Sequence, residues 1–258
     1  MNVNAGKYSY EWIDKWAKIP DTESARTGWA HHAMAVTASG DIIGFHQGDP
    51  QVLIFDSEGN LKRSWDSGLS TAHGMFIAND GNTEHLWLAD NETEQVIKTT
   101  LNGQKVMEIK RPDLKVYEEG KYAPTSVVVN QESHGGNGDV WVADGYGSSY
   151  IHRYDKDGRY ILSINGSDSD YGTFNCPHGL WIDTRKTDHE LYVADRHNGC
   201  IQVYDLDGIF KRSFGHELGK SWLHSPSAFA SYSDLLFVVE LRGSRVSVLD
   251  KEDNLVLT

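Results

Sequence analysis

The sequence has few cysteines and no surplus of positive charge, and each shortage excludes a class of protein. Its two cysteines, Cys176 and Cys200, match no metal-ligand spacing, so we interpret them as free thiols rather than a disulfide framework. The formal net charge of the 258 residues is -13. Binding to phosphate backbones requires a clustered excess of lysine and arginine, so we predict no nucleic-acid partner.

Long apolar runs are missing as well. No stretch approaches the length that a membrane span requires, and the start, MNVNAGKYSY, has neither the apolar core of a signal peptide nor an Arg-rich presequence. We therefore predict a soluble chain with no membrane partner and a cytoplasmic location. A secreted chain whose signal peptide has been removed is the alternative.

A repeated pattern occupies most of the sequence. Its clearest copy begins at Cys176 with CPHGLWID and continues with ELYVAD and CIQVYD, three successive runs in which apolar residues alternate. An earlier copy begins with AHGMFI, and its His73 corresponds to His178. In several copies an Asp-Gly or Asn-Gly pair follows the third run. Such pairs are typical of β-hairpin turns because they tolerate a positive φ.

Four-stranded units that recur about every 45 to 50 residues indicate a β-propeller. We therefore predict an all-β fold in which residues 1–258 form a single propeller domain. A β-sandwich is the alternative, but it does not explain why His73 and His178 precede an Ala-Asp pair by the same interval. The predicted repeats cover about residues 28–65, 72–109, 123–165, 177–214 and 226–258.

Two segments do not follow the repeat. Residues 8–19, YSYEWIDKWAKI, alternate bulky and polar side chains and predict a single N-terminal strand with no partner strand next to it. Residues 110–123 form a long insertion before the third repeat. Five complete repeats leave two interpretations of the ring. Either it closes with five blades, or the chain lacks most of a sixth blade, which another chain in an oligomer would then supply.

Five short elements resemble peptidyl-α-hydroxyglycine α-amidating lyase and its bacterial NHL-repeat relatives, over a stretch from about His32 to Asp205. The elements are AHGMFI, VADGYGSSYI, CPHGLWID, VADRHNGCIQ and FHQGD. The resemblance implies a six-bladed NHL-type propeller and a lyase that cleaves an N-substituted α-hydroxyglycine to an amide and glyoxylate. It also implies a zinc ion on the central axis, held by histidines from alternate blades, and a central calcium ion.

The same resemblance implies roles for individual residues. It places His73 and His178 at two of the zinc positions, Tyr146 at the catalytic tyrosine and Arg196 at one of two active-site arginines. The family's second arginine is replaced by Gln47, which can hydrogen-bond a substrate without neutralising its charge.

The family's third zinc histidine and a carboxylate beside the calcium belong to the sixth blade, which is not found in this sequence. His32 aligns with His73 in the first repeat and is the expected substitute ligand. The cofactor that we expect is therefore zinc or another divalent transition metal, with calcium as the second metal that the resemblance implies.

The residues support part of this site on their own. His73 and His178 precede the innermost strand of their blades, and that strand lines the central channel of a propeller. A catalytic zinc needs about three protein ligands and an open position. The alternative is that each histidine only caps a strand turn.

Tyr146 and Arg196 follow the second strands of neighbouring blades. Nearby positive charge stabilises a phenolate, so Tyr146 could act as a general base, and Arg196 could bind a substrate carboxylate bidentately. The alternatives are a surface aromatic residue and a salt bridge to Asp195.

Two function classes remain open from the sequence. The first is a metal-dependent lyase that acts on a small hydroxylated substrate, and the second is a non-catalytic NHL propeller that binds a protein or a small ligand. The fold hosts both classes, so only the site can distinguish them. The aspartates of the Ala-Asp pairs, Asp90, Asp144 and Asp195, are expected to bond backbone amides in the loops rather than to act in catalysis.

Overall fold

The computed structural model describes residues 2–5, 8–22, 33–217 and 220–258. These residues form five four-stranded antiparallel sheets, arranged as the blades of a β-propeller. This confirms the predicted all-β propeller fold. None of the helices in the described ranges is long and apolar enough to cross a membrane.

The strands of each blade follow one another from the inner edge to the outer edge. Blade 1 contains β3 (Ala33–Val36), β4 (Ile42–Phe45), β5 (Val52–Phe55) and β6 (Leu61–Trp65). Blade 2 contains β7 (Ala72–Asp80), β8 (Thr83–Asp90), β9 (Gln95–Thr100) and β10 (Lys105–Ile109). Blade 3 contains β11 (Ser126–Val129), β12 (Val140–Ala143), β13 (Ile151–Tyr154) and β14 (Tyr160–Ile164).

Blade 4 contains β15 (Pro177–Asp183), β16 (Glu190–Asp195), β17 (Cys200–Asp205) and β18 (Phe210–Phe214). Blade 5 contains β21 (Pro226–Tyr232), β22 (Leu235–Glu240), β23 (Arg245–Leu249) and β24 (Leu255–Leu257). A short hairpin of β19 (His216–Glu217) and β20 (Lys220–Ser221) precedes blade 5. The helical segments described are Val116–Glu119 and the 3₁₀ turn Glu132–His134.

The apolar core lies between blades rather than within them. Successive side chains of a strand point to opposite faces of its sheet, so each blade packs against both neighbours. On β16, Leu191 and Val193 pack towards blade 3, whereas Tyr192 packs towards blade 5. In the described ranges, four buried clusters join blades 1 and 2, 2 and 3, 3 and 4, and 4 and 5.

The hairpin turns follow the chemistry expected from the sequence. Gly103, Gly158 and Gly208 all adopt a positive φ between the third and fourth strands of their blades. In blade 3, the carboxylate of Asp155 accepts hydrogen bonds from the backbone N–H groups of Asp157 and Arg159. These local bonds fix the register of the outermost strand pair.

The N-terminal segment differs from the prediction of one unpaired strand over residues 8–19. The strand, β2, covers Tyr8–Glu11 only and pairs antiparallel with β1 (Asn2–Ala5), because a lone strand would leave its backbone groups without partners. Residues 12–22 contain no strand and contact blade 1. The indole N–H of Trp16 donates to the carbonyl of Ser57 at 3.2 Å.

The outer parts of blades 4 and 5 are joined by a charged cluster. Arg212 donates to both carboxylate oxygens of Glu190, at 2.8 and 2.7 Å, and also to Asp253 in the last turn of blade 5. Burial alone would raise the pKa of Glu190, but hydrogen bonds from Arg212 and Lys211 outweigh it and hold the pKa at about 2. The charged form of Glu190 therefore stabilises the folded state.

We expect Glu190→Gln to lower the free energy of unfolding at neutral pH by about 1–3 kcal/mol, the usual contribution of hydrogen bonds to a charged group. The folded pKa lies below the ordinary value, so this stabilisation is fully present above about pH 4.5 and is lost as the pH falls towards 2. Denaturant unfolding of both proteins at pH 7, 5 and 3 measures the difference, which should shrink at pH 3.

The matched control is Glu132→Gln, which removes a 3.1 Å ion pair to Lys156 in which both side chains are more than half exposed. Exposed pairs contribute about 0–1 kcal/mol, so this variant should remain close to wild type. An equal loss in both variants, or a Glu190→Gln difference that does not change with pH, would contradict the assigned role of Glu190.

Candidate functional site

Two histidines from alternate blades meet at one end of the central channel. His73 lies on β7 and His178 on β15, and their ring centroids are 4.8 Å apart. The Nδ1 atom of His73 is 2.7 Å from the carbonyl oxygen of Thr125, and that of His178 is 2.8 Å from the carbonyl oxygen of Ser227. Both carbonyls belong to the blade that follows the histidine.

These contacts determine the tautomer of each imidazole. A carbonyl oxygen can only accept a hydrogen bond, so Nδ1 carries the proton in both rings and the lone pair of the neutral ring lies on Nε2. Histidines that bind a metal ion commonly donate their other ring N–H to a backbone carbonyl in this way. Both rings are therefore held in the form that a metal ion binds through Nε2.

A glycine after each histidine allows the next blade to approach. A Cβ atom on Gly74 would lie 2.7 Å from the carbonyl oxygen of Thr125, and one on Gly179 would lie 2.5 Å from that of Ser227. These are the same oxygens that the two imidazoles contact. The His-Gly pair therefore brings the inner strands close enough for both hydrogen bonds.

Tyr146 and Arg196 occupy equivalent places in neighbouring blades. Their backbone N–H groups donate at 3.2 Å to Ala123 and Cys176, the residues that precede the corresponding prolines. Arg196 Nη1 lies 3.1 Å from the Tyr146 hydroxyl, with the guanidinium over the phenol ring. In the part of the chain described, Arg196 forms no salt bridge with Asp195.

The Tyr146 hydroxyl joins the arginine to the histidines. It lies 3.1 Å from Nε2 of His178, and because this nitrogen bears no proton, the phenol donates to it. The hydroxyl oxygen in turn accepts from Arg196. The Tyr146 ring also packs edge-to-face with His73, with ring centroids 4.9 Å apart, and Tyr146 is 38% exposed to solvent. The structure thus brings four of the predicted site residues together.

The other two predicted site residues are not placed with this group. His32 lies outside the described residues. Gln47 lies in the loop between β4 and β5, and no described contact joins it to the four clustered residues. Within the described ranges, no group of three or more His, Cys, Asp or Glu side chains could hold a metal ion.

The two imidazoles that are described fit one metal ion. Two histidines that bind a tetrahedral zinc through Nε2 at about 2.0–2.1 Å have ring centroids about 5 Å apart. The observed separation of 4.8 Å and the shared tautomer agree with that arrangement. The two described imidazoles could therefore act as two of the three protein ligands that a catalytic zinc needs.

The three repeated aspartates have the structural role that the sequence predicts. Asp90 accepts from the backbone N–H of Glu92 and Thr93, Asp144 from Ala123 and Ser148, and Asp195 from Asn175. All three are fully buried. Burial raises the pKa of Asp144 and of Asp195 to about 6.

Sequence reasoning missed Thr125 and Ser227, whose carbonyls orient the histidines. Thr125 follows Pro124 and Ser227 follows Pro226, just as His178 follows Pro177, so they occupy in blades 3 and 5 the position that histidine occupies in blades 2 and 4. Histidine and a hydroxyl residue therefore alternate at this position in blades 2 to 5. This alternation is visible once the repeats are aligned.

A cavity of about 590 Å³ extends along the channel next to the histidines. The inner strands of all five blades line it, and its wall is largely apolar. Its apolar side chains include Met34, Met75, Val127, Leu180 and Phe229. A small organic ligand could lie in this space beside the polar group of four residues.

Comparison with known proteins finds similarity to NHL-repeat proteins and to peptide-amidating proteins. The chain is 26% identical over 252 residues to NHL repeat-containing protein 3 of Homo sapiens, covering 91% of this chain and 67% of that protein. It is 30% identical over 142 residues to peptidyl-glycine alpha-amidating monooxygenase of Mus musculus, covering 52% of this chain and 14% of that protein. No protein-family model matches the chain.

A third relative is the probable peptidyl-alpha-hydroxyglycine alpha-amidating lyase of Caenorhabditis elegans, 30% identical over 136 residues, with 51% of this chain and 36% of that protein covered. The chain thus spans well under half the length of the amidating proteins it matches.

Solved structures share the fold at low sequence identity. A catalytically inactive virginiamycin B lyase from Staphylococcus aureus with quinupristin aligns with a TM-score of 0.58 at 13% identity, covering 97% of this chain and 72% of that one. The nidogen/laminin complex contains a chain that aligns with a TM-score of 0.64 at 15% identity, covering 86% of this chain and 77% of that one. Together, the five blades and the sequence relatives define an NHL-type β-propeller, as predicted.

We expect Gly179→Ala to destabilise the protein by about 1–3 kcal/mol, because the added methyl group would overlap the Ser227 carbonyl. The Tm should fall by several degrees. The control is Gly44→Ala, because a Cβ atom there meets nothing within 4 Å. Calorimetry of the two variants tests the close approach of the inner strands, and equal Tm values would contradict it.

Proposed function

We propose that the protein is a metal-dependent lyase that acts on a small hydroxylated substrate at the channel end. The observation that supports this best is the hydrogen-bonded series Arg196, Tyr146 and His178, with His73 packed beside it. A propeller that serves only as a scaffold has no need to hold a base, a cation and two metal-type imidazoles together. The partial similarity to amidating proteins supports the same class of reaction.

His73 and His178 would hold a zinc ion or another divalent transition metal through Nε2, with His32 as the expected third ligand, and at His178 the metal would replace the hydrogen bond from the Tyr146 hydroxyl. When bound, such a metal acts as a Lewis acid towards the hydroxyl oxygen of the substrate. The two Nδ1 hydrogen bonds keep both rings in the required orientation. The orientation of the ligands therefore comes from the backbone of blades 3 and 5.

Tyr146 would remove the proton of the substrate hydroxyl. Its oxygen accepts a hydrogen bond from the Arg196 guanidinium, which fixes its position, and its exposed side leaves room for a substrate. As the proton leaves, the C–O bond becomes a carbonyl and the C–N bond breaks. The nitrogen then takes up a proton and departs as the amide.

Arg196 would also orient the anionic end of the substrate. Its Nη1 contacts Tyr146, and the planar guanidinium has further N–H groups that can bind a carboxylate bidentately. In a protein with a net charge of -13, a fixed cation at the site is needed to bind an anionic substrate. The apolar channel wall could accommodate the group on the nitrogen.

A non-catalytic NHL propeller that binds a protein or a small ligand is the second candidate. Two observations favour it: the described residues supply only two metal ligands, and Gln47 makes no described contact with the site.

Metal content separates the two candidates. We expect purified, chelator-washed protein to retain close to one equivalent of zinc or another transition metal by elemental mass spectrometry. His73→Ala and His178→Ala should each lose it, because each removes one ligand, whereas the exposed His134→Ala should not. Wild-type protein without metal, with all variants folded, would refute the metal-dependent lyase.

Tyr146→Phe tests the assigned base. With an N-acyl-α-hydroxyglycine as the probe, we expect kcat/KM to fall by about 10²–10⁴-fold, the usual contribution of general base catalysis, while the metal is retained. The control Tyr232→Phe removes a phenol that is 77% exposed on blade 5 and should keep wild-type kinetics. A Tyr146→Phe enzyme with unchanged kinetics would exclude this role.

A further inference from the structure

The insertion, residues 110–123, contacts the loop that carries Tyr146. We define the Tyr146 loop as residues 144–150, between β12 and β13. The carboxylate of Asp144 accepts hydrogen bonds from the Tyr117 hydroxyl at 2.7 Å, from the Ala123 N–H at 2.6 Å and from the Ser148 N–H at 2.7 Å. One buried carboxylate thus joins the insertion to the Tyr146 loop.

Direct contacts between the two segments reinforce this link. The N–H of Tyr146 donates to the carbonyl of Ala123, and the hydroxyl of Ser148 donates to the carbonyl of Lys121 at 3.1 Å. At Gly147, an added Cβ atom would overlap both Lys121 and Asp144. The insertion therefore limits where the loop can lie on both sides of Tyr146.

A buried histidine holds Tyr117 in place. The hydroxyl of Tyr117 is 2.7 Å from Nε2 of His152, and Nδ1 of His152 is 2.7 Å from the Ser163 hydroxyl. Burial lowers the pKa of His152 to about 3, so the ring is neutral at neutral pH. Because the hydroxyl hydrogen of Tyr117 is donated to Asp144, His152 Nε2–H donates to Tyr117, and Nδ1 accepts from Ser163.

Blades 2 and 4 satisfy the equivalent carboxylate with side chains of their own repeat. In blade 4, Gln202 donates directly to Asp195 at 2.8 Å. His152 aligns with Gln202 but reaches Asp144 only through Tyr117. In blade 2, Thr93 donates to Asp90 at 2.9 Å. Blade 3 therefore depends on a residue from outside the repeat, and it is the blade that carries Tyr146.

We infer that the insertion positions Tyr146, with Tyr117 and His152 holding Asp144 so that the phenol faces His178 and Arg196. This inference rests on the proposed function for the consequence in catalysis, but its geometric part does not. Tyr117 and His152 are positioning residues, because neither contacts His73, His178 or Arg196 in the described structure. The insertion thus has a positioning role that the repeat itself cannot supply.

The test compares Tyr117→Phe with Tyr192→Phe. Tyr192 is also buried and donates to Asp253 at 2.7 Å, so its variant also loses a buried Tyr–Asp hydrogen bond, but one between β16 and the last turn of blade 5. Protein labelled with ¹³C at tyrosine Cζ reports on each phenol by NMR, and Tyr146→Phe assigns the Tyr146 signal. We expect the Tyr146 signal to shift and broaden in Tyr117→Phe and to stay unchanged in Tyr192→Phe.

Kinetics provide the second readout. On an N-acyl-α-hydroxyglycine, Tyr117→Phe should lower kcat by roughly tenfold to a hundredfold, as expected for a misplaced catalytic group, with KM within about twofold of wild type. Bound metal should not change. Ser148→Ala removes one surface contact to the insertion and should shift the Tyr146 signal in the same direction by a smaller amount. This variant replaces Tyr117→Phe in the comparison if Tyr117→Phe does not fold.

The outcomes separate this inference from the proposed function. An unchanged Tyr146 signal in Tyr117→Phe, with a stability loss similar to that of Tyr192→Phe, would overturn the inference. If wild-type protein does not convert the probe, the proposed function fails, and the NMR comparison alone decides whether the insertion positions Tyr146. A shifted signal with unchanged kcat would overturn the catalytic part only.

Discussion

The site depends on the hydrogen bond that each channel histidine donates to the backbone of the next blade. This bond is a contact between blades, and it exists only because a glycine lets the neighbouring carbonyl come close. Propeller packing places the inner strands side by side, and this hydrogen bond holds each of the two imidazoles in a fixed orientation. Blade packing and site chemistry therefore share the same few atoms.

One position of the repeat carries residues with different roles in different blades. In blades 2 and 4 it carries the histidine, and in blades 3 and 5 it carries Thr125 and Ser227, whose carbonyls orient that histidine. The loop after the second strand varies in a similar way, since Tyr146 and Arg196 take equivalent places on blades 3 and 4. A repeated framework thus produces an asymmetric site by changing one residue per blade, with the insertion as an addition to the repeat.

Much of the fold was predictable because it rests on local patterns. Apolar alternation and Asp-Gly turns act within a single hairpin, so the blades and the buried role of Asp90, Asp144 and Asp195 could be predicted from the sequence. The N-terminal hairpin could not, because the alternation in residues 8–19 does not reveal a partner at Asn2–Ala5.

The candidate site was only partly predictable. The pairing of His73 with His178 follows from repeat alignment, whereas the bond between Tyr146 and His178 depends on how far two blades rotate towards each other. The link between Tyr117 and Asp144 joins an irregular segment to a repeat, so no periodicity could predict it.

Because the core lies between blades, the blades differ in how readily they unfold locally. Each described cluster is shared by two neighbours, so the stability of a blade is close to the sum of its own hairpins and its contacts on either side, as in other repeat proteins. Blades 2, 3 and 4 have a described cluster on both sides, whereas blades 1 and 5 have one each. Amide protons should therefore exchange with solvent fastest in the terminal blades and slowest in the middle of the chain, so that the imidazole pair lies in the part of the ring that opens last.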